Sequence, residues 1–143
     1  MLTGLFTLTL AALFAGAALY INVAEQPARL GLDDRSMLAE WKPAYKRGTR
    51  MQAPLAVLGF FFGMVTWWQT QDLAWIAAAL MMIANLPVTF LIIWPTNTRL
   101  MQTNLEAAGP DTRSMVAKWG RLHGIRSALG VGATAASLLA LLG

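Results

Sequence analysis

The chain has 143 residues, enough for one domain, of which 57% are hydrophobic and only 13% charged, with a mean hydropathy of +0.52. A soluble domain carries roughly 25% charged residues, so a chain this apolar is expected to put side chains into lipid. The absence of cysteine and a single histidine exclude disulfides, thiolate sites and cysteine nucleophiles and leave a poor ligand set for a metal ion, so none is expected.

Four segments have spanning character, a membrane helix needing about 20 mostly apolar residues. The first runs over about Leu2–Ala24, with no basic residue before it and too long an apolar run for a cleavable leader. Residues 25–48 read as a long polar loop, in which Asp33 to Ser36 cap a short helix that ends at Trp41 before Pro43. The second span covers about 49–68, and a tight turn at Gln69 to Asp72 leads into the third, about Leu73–Trp94. Pro87 is expected to kink that helix. Residues 95–113 read as a second long loop, with Asp111 or Thr112 as the cap of the last helix, which spans about 115–142. The expected fold is therefore all-α: an integral membrane four-helix bundle in one domain, with two long cytoplasmic loops.

Charge gives the orientation. All eleven Lys and Arg residues lie in the two long connections or the helix ends beside them, and none lies on the opposite side. The positive-inside rule puts the loops in the cytoplasm and both termini outside, which for a bacterial chain means the inner membrane. The net charge of +4 is then accounted for by topology and anionic headgroups, and a nucleic-acid partner is rejected. The small-residue pairs Ala12/Gly16, Gly59/Gly63 and Gly120/Gly124 predict close helix packing in the bundle and, secondarily, a homo-oligomer interface.

That topology brings the end of helix 1, the start of helix 2, the end of helix 3 and the start of helix 4 to one membrane face. The polar residues are concentrated there: Asn22, Glu25 and Gln26; Tyr45, Arg50 and Gln52; Asn85 and Thr89 deeper down, then Trp94 and Asn97; Trp119, His123 and Arg126. Ionisable groups at membrane depth are costly and turn toward the bundle interior to partner one another, so a pocket open at this face is expected. The plainer readings are snorkelling for Arg50 and Arg126, surface pairing for Glu25, a packed interior imidazole for His123, and an aromatic belt of Trp94 and Trp119 with Trp67, Trp68 and Trp75 on the other side.

Four elements resemble a known family: Asn22-Val23 with Pro27 at the end of helix 1, then Trp41, Tyr45 and Gly48. They continue with Pro87–Phe90 followed by Pro95-Thr96-Asn97, and Trp119, His123 and Arg126 spaced W-x3-H-x2-R. Together they are similar to the anthrone oxygenase-like four-helix membrane proteins, known in bacteria as a domain of unknown function. The resemblance implies an oxygenase acting on a lipophilic, anthrone-like aromatic compound with no cofactor. In that implied chemistry His123 is the base, Arg126 and Asn97 hold the enolate oxygen, and Glu25 orients the imidazole. Asn22, Tyr45, Gln52, Trp94 and Trp119 would line the substrate pocket. Three other classes stay open: a small transporter or lipophile-binding protein without catalysis, a structural subunit, and a haem protein using His123.

Overall fold

The computed structural model describes residues 2–143, and they form four long helices in an up-and-down ring: α1 (Leu2–Leu30), α2 (Asp34–Thr70), α3 (Leu73–Gln102) and α4 (Pro110–Leu142). Each helix packs along the next and α4 closes the ring on α1. All four are long and apolar enough to cross a membrane. The chain is thus an all-α, multi-pass membrane protein.

The helices are longer than the spans read from hydropathy. At 37 residues α2 is about 55 Å long against a hydrocarbon core of about 30 Å, so much of it stands beyond the lipid. The segment read as a loop over 25–48 is helical except around Gly31 to Asp33, and Pro43 does not stop α2, which runs through both Pro43 and Pro54. The second expected loop likewise shrinks, because α3 continues to Gln102 and α4 begins at Pro110. Packing drives these extensions. Met37, Leu38 and Trp41 of α2 form a buried cluster with Ile93 and Leu100 of α3 and Val116 and Trp119 of α4. A second cluster around Phe14, Ala56, Met82 and Ala133 fills the bundle's other half.

The caps follow ordinary chemistry. Asp33 caps α2 by accepting from the Ser36 N–H at 3.0 Å. Hydrogen bonds from Ser36, its side chain first and its backbone second, hold the Asp33 carboxyl below its ordinary value of 3.8. Gln71 closes α2 in the left-handed region at φ 59°, and Asp72 caps α3 through the Ala74 N–H. The cap of α4 is Gly109, one position before Pro110, rather than Asp111 or Thr112; Thr112 contributes by accepting from the Gly109 N–H.

Two helices change pitch near the basic end. Residues Ile21–Glu25 of α1 and Val88–Ile93 of α3 are π-helical, with Gln26 N–H reaching Ile21 O and Trp94 N–H reaching Thr89 O. Each segment stops just short of a proline, at Gln26-Pro27 and Trp94-Pro95. A proline ring in an α-helix clashes with the carbonyl four residues back; one extra residue in the turn moves that carbonyl aside. Pro87 stands immediately before the second π segment.

Gly59 and Gly63 face α3, where a Cβ would come within 2.7 Å of Met82 and 2.9 Å of Ala79. Gly120 meets the Gln26 side chain in the same way, whereas Gly16 and Gly124 have open space around them. The tryptophans divide differently from a belt. Trp68 and Trp94 are exposed, but Trp75 and Trp119 are buried in the bundle.

Candidate functional site

The pitch change in α1 turns Asn22 toward α4, where three polar groups meet it. Its Nδ2 donates to the Gly120 carbonyl at 2.8 Å. That carbonyl can only accept, so the amide orientation is fixed and Oδ1 points at its other two neighbours. Ser127 Oγ donates to Asn22 Oδ1 at 2.7 Å, and His123 Nδ1 lies 2.8 Å from the same oxygen. An oxygen facing Nδ1 requires the proton there. The imidazole is therefore the Nδ1–H tautomer, with the lone pair on Nε2 and no hydrogen bond to Nε2 among the described residues.

His123 is packed as well as hydrogen-bonded. Its ring lies 5.0 Å from Trp119, which meets Trp41 edge-on at 5.6 Å, and Trp41 stacks on Tyr45 at 5.0 Å. The four rings tie α2 to α4. Trp119 is oriented in turn by α3, its Nε1–H donating to Asn97 Oδ1 at 2.8 Å.

Arg126 lies one turn deeper, 8% exposed, with its guanidinium over the Phe14 ring at 5.5 Å and its Nε without a partner. It does not snorkel out of the bundle; Arg50, by contrast, is exposed. Gln52 is buried and its Nε2 is also unpartnered. His123, Arg126, Gln52, Tyr45, Glu25 and Trp119 line one narrow cleft.

Three expected members make contacts other than those expected. The Glu25 carboxylate pairs with Arg29 rather than with the imidazole, and Arg29 also binds Glu40 at 2.8 Å while lying over the Trp119 ring. The imidazole's neighbour is Asn22. Asn97 and Trp94 line a separate groove with Tyr45 and Lys46, and Asn97 bears on the site through Trp119, whose Nε1–H it accepts. The sequence alone pointed to Gln26 but not to Arg29 or Ser127 as members of the site. Arg29 continues the stripe of Asn22 and Gln26 at helical spacing, which is the signal that could have found it.

A family model described as anthrone oxygenase matches residues 41–136, roughly two-thirds of the chain. The chain belongs to the anthrone oxygenase family. No curated protein and no solved structure matches it. The matched stretch contains Tyr45, Gln52, Asn97, Trp119, His123 and Arg126 of this anthrone oxygenase family member, while Asn22 and Glu25 precede it.

Proposed function

We propose that this membrane protein oxidises a lipophilic, anthrone-like aromatic compound with molecular oxygen, using His123 as the base. The observation that carries the reading is the Asn22–His123 contact: it leaves Nε2 unprotonated and unpartnered on a residue of the same cleft as the unsatisfied donors of Arg126 and Gln52. The methylene of an anthrone is a carbon acid. Nε2 takes its proton, and the electron pair moves through the ring onto the carbonyl oxygen. Arg126 and Gln52 supply donors for that oxygen as its charge develops, in a setting where such donors act most strongly. The electron-rich enolate then passes electrons to oxygen and a carbon–oxygen bond forms. Loss of water from the resulting hydroperoxide leaves a quinone carbonyl, one oxygen atom going to product and the other to water.

The basic face is read as cytoplasmic, with both termini outside, on the positive-inside rule; for a bacterial chain this is the inner membrane. Asn22 then positions the base, Trp119 and Tyr45 wall the cleft, and Asn97 orients Trp119.

The test is oxygen uptake and quinone formation with an added anthrone, using purified wild type and His123→Ala. Wild-type turnover lost in the variant supports the reading. A His123→Ala protein as fast as wild type removes the base assignment. A wild type that binds anthrones without consuming oxygen transfers the reading to lipophile binding or transport, which the grooves between the helices would also serve.

A further inference from the structure

The cleft at His123 has a neighbour. Between α2 and α3 lies a second pocket, roomier than the His123 cleft. Its walls are mostly apolar, with Ala53 on α2 and Phe90 and Trp94 on α3. Phe90 and Trp94 are exposed on the lipid-facing side and their rings lie 5.7 Å apart. Tyr45, Thr49 and Arg126 line both spaces, so one guanidinium serves the pocket and the cleft.

Two buried polar atoms in this wall lack partners, and they differ in kind. Arg126 Nε is a donor. Asn85 is 1% exposed, and its Nδ2 donates to the Met81 and Met82 carbonyls at 3.1 Å, which leaves Oδ1 as an acceptor with nothing to accept. A buried polar group left unsatisfied costs stability unless a ligand or water completes it. The pitch change in α3 contributes too, since it carries Thr89 and Phe90, and Thr89 donates its hydroxyl to the Asn85 carbonyl at 2.7 Å.

We propose that the pocket between α2 and α3 is the seat of the lipophilic ligand, admitted sideways from the bilayer past Phe90 and Trp94. The ligand class it fits is an aromatic molecule bearing both an acceptor oxygen, for Arg126, and a hydroxyl donor, for Asn85 Oδ1. The proposal deepens the oxygenase reading, because a ligand bound there has its acceptor oxygen on the arginine that also borders the His123 cleft. The groove between α1 and α2, lined by Ala17 and Met51, is the alternative doorway and makes the natural control.

The experiment measures binding separately from turnover. The probe is 1,8-dihydroxyanthraquinone, already oxidised and unable to react, titrated into protein in lipid nanodiscs and followed by tryptophan quenching. Ala53→Phe, which fills the pocket, is expected to weaken binding at least tenfold, and Asn85→Leu by on the order of tenfold for one lost hydrogen bond. Ala17→Phe is expected to bind as wild type. Normal binding by Ala53→Phe, or weakening confined to Ala17→Phe, overturns the proposal. Because the chain has no cysteine, Thr89→Cys offers a second measurement that does not depend on a bulky substitution. Its alkylation by a membrane-permeant maleimide should slow when the probe is present, and an unchanged rate overturns the assignment. His123→Ala separates the two readings: retained binding with retained turnover sinks the oxygenase mechanism alone, while lost protection at Thr89→Cys sinks the pocket alone.

Discussion

The amide oxygen of Asn22 stands 2.8 Å from Nδ1 of His123, joining the first helix to the fourth across 101 positions of sequence. It is a contact between a neutral acceptor and the chain's only imidazole. Its effect is to choose which ring nitrogen keeps the proton.

A single histidine makes that choice directly observable. Protein labelled with ¹⁵N-histidine gives one imidazole, and its two nitrogens are expected to report the Nδ1–H tautomer. Asn22→Leu should mix in the other tautomer and lower anthrone turnover by on the order of ten- to a hundred-fold, the usual cost of losing an orienting partner. Glu25→Gln should leave tautomer and turnover close to wild type, since its carboxylate pairs with Arg29. An Nε2–H spectrum in the wild type would sink the assignment.

Trp119→Phe keeps the ring against His123 but removes the donor that satisfies Asn97 Oδ1. A buried acceptor left alone costs about 1–3 kcal/mol. Thermal unfolding in detergent should show a lower midpoint, and adding Asn97→Leu should recover part of the loss.

At Gly120 an added Cβ would come within 2.6 Å of Gln26 Nε2 and 2.9 Å of its Cγ. Gln26 cannot swing away freely, because its Nε2 is bonded to the Val116 carbonyl at 2.8 Å. Gly120→Ala is expected to cost about 1–3 kcal/mol as overpacking. Gly16→Ala meets nothing within 4 Å and should be neutral or slightly stabilising through helix propensity. Equal melting of the two variants would contradict the packing described.

The Asp33 cap carries a pH dependence of known sign. A carboxyl held below its ordinary value of 3.8 in the fold stabilises the helix start above that value and ceases to do so as the pH falls through the lower folded value. Asp33→Ala should therefore melt earlier than wild type at neutral pH, with the gap closing in acid below 3.8. A gap that persists undiminished in acid would assign the effect to something other than the carboxylate.

Much of this architecture could be read in the residues. Hydropathy located the four crossings, and the one-sided distribution of Lys and Arg gathered the correct helix ends. The W-x3-H-x2-R stripe does put Trp119, His123 and Arg126 on one buried face. The polar connections were the weak point: Pro43 and a high local charge argued for loop between 25 and 48. Yet Met37, Leu38, Trp41 and Tyr45 recur at helical spacing, and their burial against Leu100, Val116 and Trp119 outweighs the proline. The partners inside the site were less legible. Glu25 is three residues from Asn22 and either could have faced His123; a π turn, which no hydropathy window detects, settles that it is Asn22. The buried Trp75 and Trp119 look like interfacial residues until neighbouring helices supply Gly4 and Asn97 against them.

The two widened turns lie on α1 and α3, on opposite sides of the ring, close to the same level as the cleft and the lateral pocket. Helices bend where the regular ladder is interrupted, and prolines and π turns are its commonest interruptions. Both interruptions therefore fall in the basic half of the bundle. The bend that shapes the lateral pocket and the bend that aims Asn22 at the imidazole thus come from the same device, a widened turn placed just ahead of a proline.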